Sequence, residues 1–265
     1  MKQECERFSM NFRGLSNNMS AAYFISDAHL GVSPAGSVSE REEHLIAFFK
    51  ELEGKASHLF IVGDLFEFWY EYDFYAPSKH FSLLRALADL KGKGCEVKLV
   101  RGNHDFACGD FFKRVLGVET CSHFVAEFHG RKVYVCHGDG LAKVDGLYRI
   151  FRKILDFRLN RFLFKWIHPD IGMRLALSIG SNSRNLNKQR IVSEEEFLDK
   201  AREIMRKNDC DTLVHGHNHI GGVWKVPEGV VINCGQWLFE ENFSSISEKN
   251  CYFYPSCLAE PSSAC

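Results

Sequence analysis

No apolar run in this sequence approaches the roughly 18 residues that a membrane-spanning helix needs, and no CxxC pair occurs. The first absence leaves no segment to read as a span. The second removes the redox motif and the zinc finger as explanations for ten cysteines, scattered at 5, 95, 108, 121, 136, 210, 234, 251, 257 and 265. They are expected to be mostly buried free thiols in a reducing compartment. Net charge is missing too: 33 Lys and Arg meet 34 Asp and Glu, leaving −1. That balance excludes a bulk polycation built to coat nucleic acid, though not a local basic patch, and no nucleic-acid partner is expected. Residues 1–19 are polar, are broken by Gly14, Asn17 and Asn18, and lack the apolar core of a signal peptide. They are read as a flexible extension, and the protein as cytoplasmic. What is present, 265 residues of which 45% are hydrophobic, suffices to bury one large core or two small ones. Twelve histidines are the count that demands a role.

Short apolar runs recur: AAYFIS at 21–26, HLFIV at 58–62, CEVKLV at 95–100, RKVYVC at 131–136, DTLV at 211–214 and GVVINC at 229–234. In the first half, helix-like stretches at 40–53 and 78–91 separate them, which reads as α/β units. All but the last of these runs lead straight into a polar cluster. The clusters are Asp27-x-His29, Gly63-Asp64, Gly102-Asn103-His104-Asp105, His137-Gly138-Asp139 and His215-Gly216-His217-Asn218-His219. A turn needs Gly, Asn or Asp, but it does not need His beside them each time. The ends of strands in α/β sheets are where active sites are built. Asp27 to Asp64 is 37 residues, Asp64 to Asn103 is 39 and Asn103 to His137 is 34, each one strand–helix–strand unit, whereas His137 to His217 is 80.

The longer gap holds an insertion of distinct character. Between Tyr148 and Arg190 lie ten Lys and Arg against Asp156 and Asp170, and 148–168 carries six aromatics. YRIFRKILDFRLNRFLFKWI reads as helix. Pro169 interrupts or opens an element, and GMRLALSIG is a second short helix. Ser193 followed by Glu196 is a capping-box pattern that should start a helix back in the main domain. A helical cap at about 145–190 is therefore expected over the strand ends. It interrupts one domain at 20–255, with a loose tail at 256–265.

Carboxylates, imidazoles and an Asn carbonyl together suit Mn²⁺, Fe²⁺ or Zn²⁺ better than Mg²⁺ or Ca²⁺. Seven candidate ligands are too many for one ion, and a carboxylate bridging two ions would use them. DAH at 27–29, GDLFEFW at 63–69, GNHDF at 102–106, HGD at 137–139 and GHNH at 216–219 resemble, in order and spacing, the calcineurin-like metallophosphoesterases. The resemblance implies a sandwich of two mixed sheets flanked by helices, with two divalent metals, Mn²⁺ first and Zn²⁺ or Fe²⁺ as alternatives. It implies one metal on Asp27, His29, Asp64 and His219, and the other on Asp64, Asn103, His137 and His217. His104, with Asn103, would act in catalysis by contacting the phosphoryl oxygens or the leaving group. Asp105, Asp139 and His215 are read as supports behind the ligands. Glu67 and Trp69 are read either as pocket rim or as core.

GDLFEFW, HGDGLAKVDGLYRIFR and the spacing of Arg174, Ser183 and Asn187 further resemble the UDP-2,3-diacylglucosamine pyrophosphohydrolase family of lipid A biosynthesis. That resemblance implies hydrolysis of the substrate's pyrophosphate bond to UMP and 2,3-diacylglucosamine 1-phosphate by a metal-activated hydroxide. Asp145 and Tyr148 match residues that hold the sugar and phosphates in that family, and Arg174, Ser183, Arg184, Asn187 and Lys188 are the other candidate substrate contacts. The cap's aromatics and cations would meet acyl chains, phosphates or the cytoplasmic face of the inner membrane. One departure stands out: many members carry GNRD where this chain has GNHD. A phosphodiesterase or phosphomonoesterase acting on another nucleotide-linked or lipid phosphate is the alternative, and a metal-bound scaffold without activity is a third class.

Overall fold

The computed structural model describes residues 21–31, 38–72, 78–108, 110–139, 141, 163–175, 177, 193–248, 250–255 and 262–263. Two mixed β-sheets are stacked, with helices on their outer faces. The larger sheet has seven strands in the order β12-β11-β10-β1-β2-β3-β4. Its parallel half is β1 (Ala21–Ile25), β2 (Ala56–Val62), β3 (Glu96–Val100) and β4 (Glu119–Cys121). Its antiparallel edge is β10 (Phe243–Ile246), β11 (Cys251–Tyr254) and β12 (Ser262–Ser263). The smaller sheet runs β5-β6-β7-β9-β8. Its strands are β5 (His123–Phe128), β6 (Arg131–Cys136), β7 (Thr212–His215), β8 (Gly222–Val226) and β9 (Gly229–Asn233). β6, β7 and β9 are mutually parallel.

Alternation along the strands builds the layers. In β1, Tyr23 and Ile25 join the core under the helices, while Ala22 and Phe24 join the core between the sheets. β2 repeats this with Leu59 and Ile61 on one side and Phe60 and Val62 on the other. Because both faces are covered, these strands read in sequence as unbroken apolar runs. Helices α1 (Val38–Leu52), α2 (Phe81–Gly92) and α3 (Asp110–Val115) close the outer face of the larger sheet. Helix α4 (Glu194–Asn208) closes the smaller one through Phe197, Ala201 and Met205 against Leu213 and Val231. α4 begins where the capping pattern predicts, with Ser193 Oγ accepting the Glu196 N–H at 3.2 Å. A short helix, α5 (Trp237–Glu240), follows β9.

Within the tail expected to be loose, Ser262 and Ser263 instead pair with Phe253 and Tyr252. Backbone hydrogen bonding at a sheet edge needs no apolar pattern, so the sequence carried no sign of it. Of the segment expected to form a cap, residues 163–164, 169–175 and 177 are helical, with Pro169 opening the second stretch. Residues 142–162 and 178–192 lie outside the described residues, as do residues 1–19. Among the described residues Cys95, Cys108, Cys210, Cys234 and Cys251 are buried, Cys121 and Cys136 are half-buried, and all seven are free thiols. Burial pushes the Cys95 and Cys136 thiols up to about 12, so neither is a nucleophile at neutral pH. No helix among the described residues is long and apolar enough to cross a membrane.

Candidate metal centre

Parallel strands place their C-terminal ends on one edge, and all five polar clusters of the sequence meet there. Asp27 follows β1, Asp64 follows β2, the 102–105 turn follows β3, His137 follows β6, and His217 and His219 follow β7. Backbone hydrogen bonds knit these turns together. Asp27 N–H donates to Gly63 O at 3.1 Å, His29 N–H to Asp64 O at 2.9 Å and Gly216 N–H to His137 O at 2.9 Å. From α5, Trp237 and Leu238 donate to Ser26 O and Asp27 O at 3.0 and 3.1 Å.

The turns are tight. Asp27, His29, Asp64, His217 and His219 all have left-handed backbones, with φ of 55, 45, 52, 74 and 60°. Asp and His tolerate this region better than most residues, yet each such position stores strain. Gly102 is required for room: a Cβ there would lie 2.1 Å from Asp64 Oδ1. Gly216 is equally constrained, its Cβ position being 1.9 Å from Ser26 Oγ.

Two overlapping sets of electron-pair donors result. In the first, Asp27 Oδ1 lies 3.6 Å from His29 Nε2 and 3.2 Å from His219 Nε2, and His29 Nε2 is 3.8 Å from Asp64 Oδ2. In the second, His137 Nε2 lies 3.2 Å from Asp64 Oδ2, 3.0 Å from Asn103 Oδ1 and 3.2 Å from His217 Nδ1. Asp64 Oδ2 belongs to both. Three groupings of these side chains have the spacing to hold a metal: Asp27–His29–His219, Asp64–His137–His217, and His29–Asp64–His104.

Second partners aim the rings. His137 Nδ1–H donates to Val62 O at 2.8 Å, and His29 Nδ1–H donates to Glu67 Oε2 at 3.0 Å. Both rings therefore turn Nε2 inward. Asp27 Oδ1 and His29 Nε2 are buried and have no hydrogen-bond partner. Buried polar atoms that face one another with no hydrogen bond between them suit a cation, so the donor set fits divalent metals.

The charges agree. Burial would lower the imidazole pKa of His29, but Asp27, Glu67 and Asp64 overrule it and raise it to about 10. His137 is likewise raised to about 10 against burial, chiefly by Asp64. Despite burial, the surrounding histidines hold Asp27 and Asp64 well below the usual carboxylate range. Burial, with His137 nearby, pushes His217 down to about 3, leaving it neutral and able to donate a lone pair.

The supporting residues have separate places. Asp105 is buried and accepts the N–H groups of Gly102 and Leu65 at 2.7 and 2.8 Å, which ties the 102–105 turn to the one after β2. Burial, helped by the Asp64 charge, raises its pKa to about 6. His215 ends β7, is buried, and donates from Nδ1 to Gly216 O at 2.9 Å. Asp139 is half-buried two residues beyond His137. His104 stands edge-to-face with His29, the ring centroids 4.8 Å apart, and its backbone N–H donates to Asp64 Oδ1 at 2.8 Å. Arg174 is exposed on the 169–175 helix, whereas Asp145, Tyr148, Ser183, Arg184, Asn187 and Lys188 lie outside the described residues.

Asn233 escaped the sequence reading, and so did the role of Glu67. Asn233, at the end of β9, donates from Nδ2 to Asn218 Oδ1 and accepts the Gly235 N–H at 2.9 Å, bracing the 216–219 turn. Glu67 is neither rim nor plain core, because its carboxylate lies under His29 and His104. Its place directly after Asp64, Leu65 and Phe66 was the sequence signal, and an apolar neighbourhood masked it.

Residues 22–221 match the family described as Calcineurin-like phosphoesterase. The chain belongs to that family, and its fold and donor set are those of a metal-dependent phosphoester hydrolase. Its closer homology is to proteins named UDP-2,3-diacylglucosamine hydrolase. That of Neisseria meningitidis serogroup A is 34% identical over 212 residues, covering 76% of this chain and 83% of the relative. That of Porphyromonas gingivalis is 28% identical over 223 residues, covering 76% and 84%. That of Histophilus somni is 27% identical over 226 residues, covering 83% and 93%.

Proposed function

We propose that this chain hydrolyses the pyrophosphate bond of UDP-2,3-diacylglucosamine, releasing UMP and 2,3-diacylglucosamine 1-phosphate. The observation that carries the reading is the pair of donor sets sharing Asp64, in a chain whose relatives bear that substrate in their names. On this reading Asp27, His29, Asp64 and His219 hold one divalent ion, and Asp64, Asn103, His137 and His217 hold the other, with Mn²⁺ the first candidate. Bound there, such ions supply the positive charge that acidifies a water and neutralises phosphoryl oxygens. The chain's own residues orient the reaction. Val62 O and Glu67 fix the His137 and His29 rings, Asp105 holds the 102–105 turn, and that turn presents His104 toward the phosphoryl group or the leaving oxygen.

Residues at about 145–190 are proposed as a cap for the acylated sugar. Asp145, Tyr148, Arg174, Ser183, Arg184, Asn187 and Lys188 are its substrate contacts. Support comes from the cap's described part, where Leu163, Trp166, Ile171 and Leu175 are 53, 78, 62 and 50% exposed. Such a surface suits acyl chains or the cytoplasmic face of the inner membrane. His104, in place of the arginine common in the resembling family, favours a second reading as a phosphodiesterase of broader range. The test is turnover of UDP-2,3-diacylglucosamine by Mn²⁺-loaded protein beside bis-p-nitrophenyl phosphate. Hydrolysis of the lipid substrate is expected, and turnover of the generic diester alone would sink the assignment.

A further inference from the structure

We propose that Glu67 is a positioning residue that couples the two halves of the reaction site, fixing the metal-facing ring of His29 with its carboxylate and the phosphate-facing ring of His104 with its backbone oxygen. This rests on the two-metal reading above. Glu67 is 2% exposed. Its Oε2 accepts the His29 Nδ1–H at 3.0 Å, and its Oε1 lies 3.5 Å from His104 Nδ1. Its backbone oxygen accepts from that same His104 Nδ1 at 3.1 Å. One residue thus holds the Nδ1 edge of both rings and leaves both Nε2 atoms for the site.

The backbone makes this placement rigid. After the turns at Asp27 and Asp64 the two chain segments pair again: Leu30 N–H donates to Leu65 O at 3.0 Å, and Glu67 N–H donates back to Leu30 O at 2.9 Å. Glu67 is therefore registered against the segment that carries His29. His29 and His104 also touch edge to face, so tilting one ring disturbs the other. A buried carboxylate is costly unless it is paired, and the His29 imidazole is a hydrogen-bonded partner of this one.

The proposal has an asymmetric signature. His29 belongs to one donor set only. Glu67→Ala should weaken one of two Mn²⁺ ions by about 10–100-fold, read by isothermal titration of the metal-stripped full chain, and leave the other unchanged. Turnover of bis-p-nitrophenyl phosphate at saturating Mn²⁺ should fall about 10–100-fold in kcat with KM nearly unchanged. Glu67→Gln keeps the volume and an acceptor for His29, and should recover most of the Mn²⁺ affinity.

A purely structural role would weaken both ions alike, and that result would overturn the proposal. So would wild-type affinity in Glu67→Ala, or a Glu67→Gln protein no better than Glu67→Ala. If the alanine variant does not fold, Glu67→Asp withdraws the carboxylate from His29 while keeping its charge, and the same one-ion loss is expected. The two readings fail separately. Wild-type protein that binds fewer than two Mn²⁺ overturns the two-metal reading. Wild-type protein that binds two, beside an indifferent Glu67 variant, overturns only this one.

Discussion

Asp64 accepts the His104 N–H through Oδ1 and faces His29 and His137 with Oδ2. Removing that carboxylate takes a ligand from both donor sets at once. Asp64→Ala should lower diester turnover by at least about 10³-fold and reduce bound Mn²⁺ from two, as measured by metal analysis after gel filtration. The histidines predict a proton balance. In the metal-free protein His29 and His137 have pKa values raised to about 10, so both carry a proton at pH 7 that a metal must displace. Mn²⁺ binding should therefore release protons and weaken as pH falls. Titrations in buffers of different ionisation enthalpy measure that release. The donors were legible in the sequence because Asp, Asn and His recur after strands where Gly or Asn alone would make the turn. Glu67 was not, because its contact with His29 depends on two segments re-pairing beyond their turns, which no local pattern encodes.

At the scale of elements, the helical residues at 163–164 and 169–175 meet the sheet edge through aromatic rings. Phe164 lies 4.6 Å from Tyr70 and 5.7 Å from Phe68, ring centre to ring centre. Gly172 lets the 169–175 helix approach so closely that a Cβ there would sit 2.9 Å from the Phe164 ring and 3.0 Å from the Tyr72 hydroxyl. Phe164→Ala removes both ring contacts, about 1.4 kcal/mol together, and should raise KM for the acylated sugar proposed as substrate about tenfold. Turnover of the small diester should stay as in wild type, because Phe164 touches none of the donor sets. The strands beside the site were readable because burial on both faces leaves long apolar runs. β4, β8 and β12 were not: ETC and SS carry no apolar period, and GVWKV is half-exposed along its length.

At the scale of the whole molecule, the metal pair would sit on the seam between the sheets, with Asp27, His29, Asp64 and Asn103 from the larger and His137, His217 and His219 from the smaller. Ions bound there stabilise both sheets in place. At free Mn²⁺ about 100 times the Kd, the gain is about 2.7 kcal/mol, a rise in Tm of about 5–10 °C for a chain of this size. Chelator should reverse it in a thermal melt. The sandwich itself followed from the sequence through the order of its motifs. The antiparallel edge did not, because FSSI and CYFY are short and follow no polar cluster.

The hydrogen bond from His217 N–H to Asp27 Oδ2, 2.9 Å long, joins positions 190 residues apart. Contacts of such separation close late, after the local units have formed. The site is thus a gauge of completion: neither four-residue donor set is complete on one sheet. In refolding by rapid dilution, Mn²⁺ uptake should lag the recovery of strand and helix signal. Uptake in step with secondary structure would mean that one sheet alone suffices.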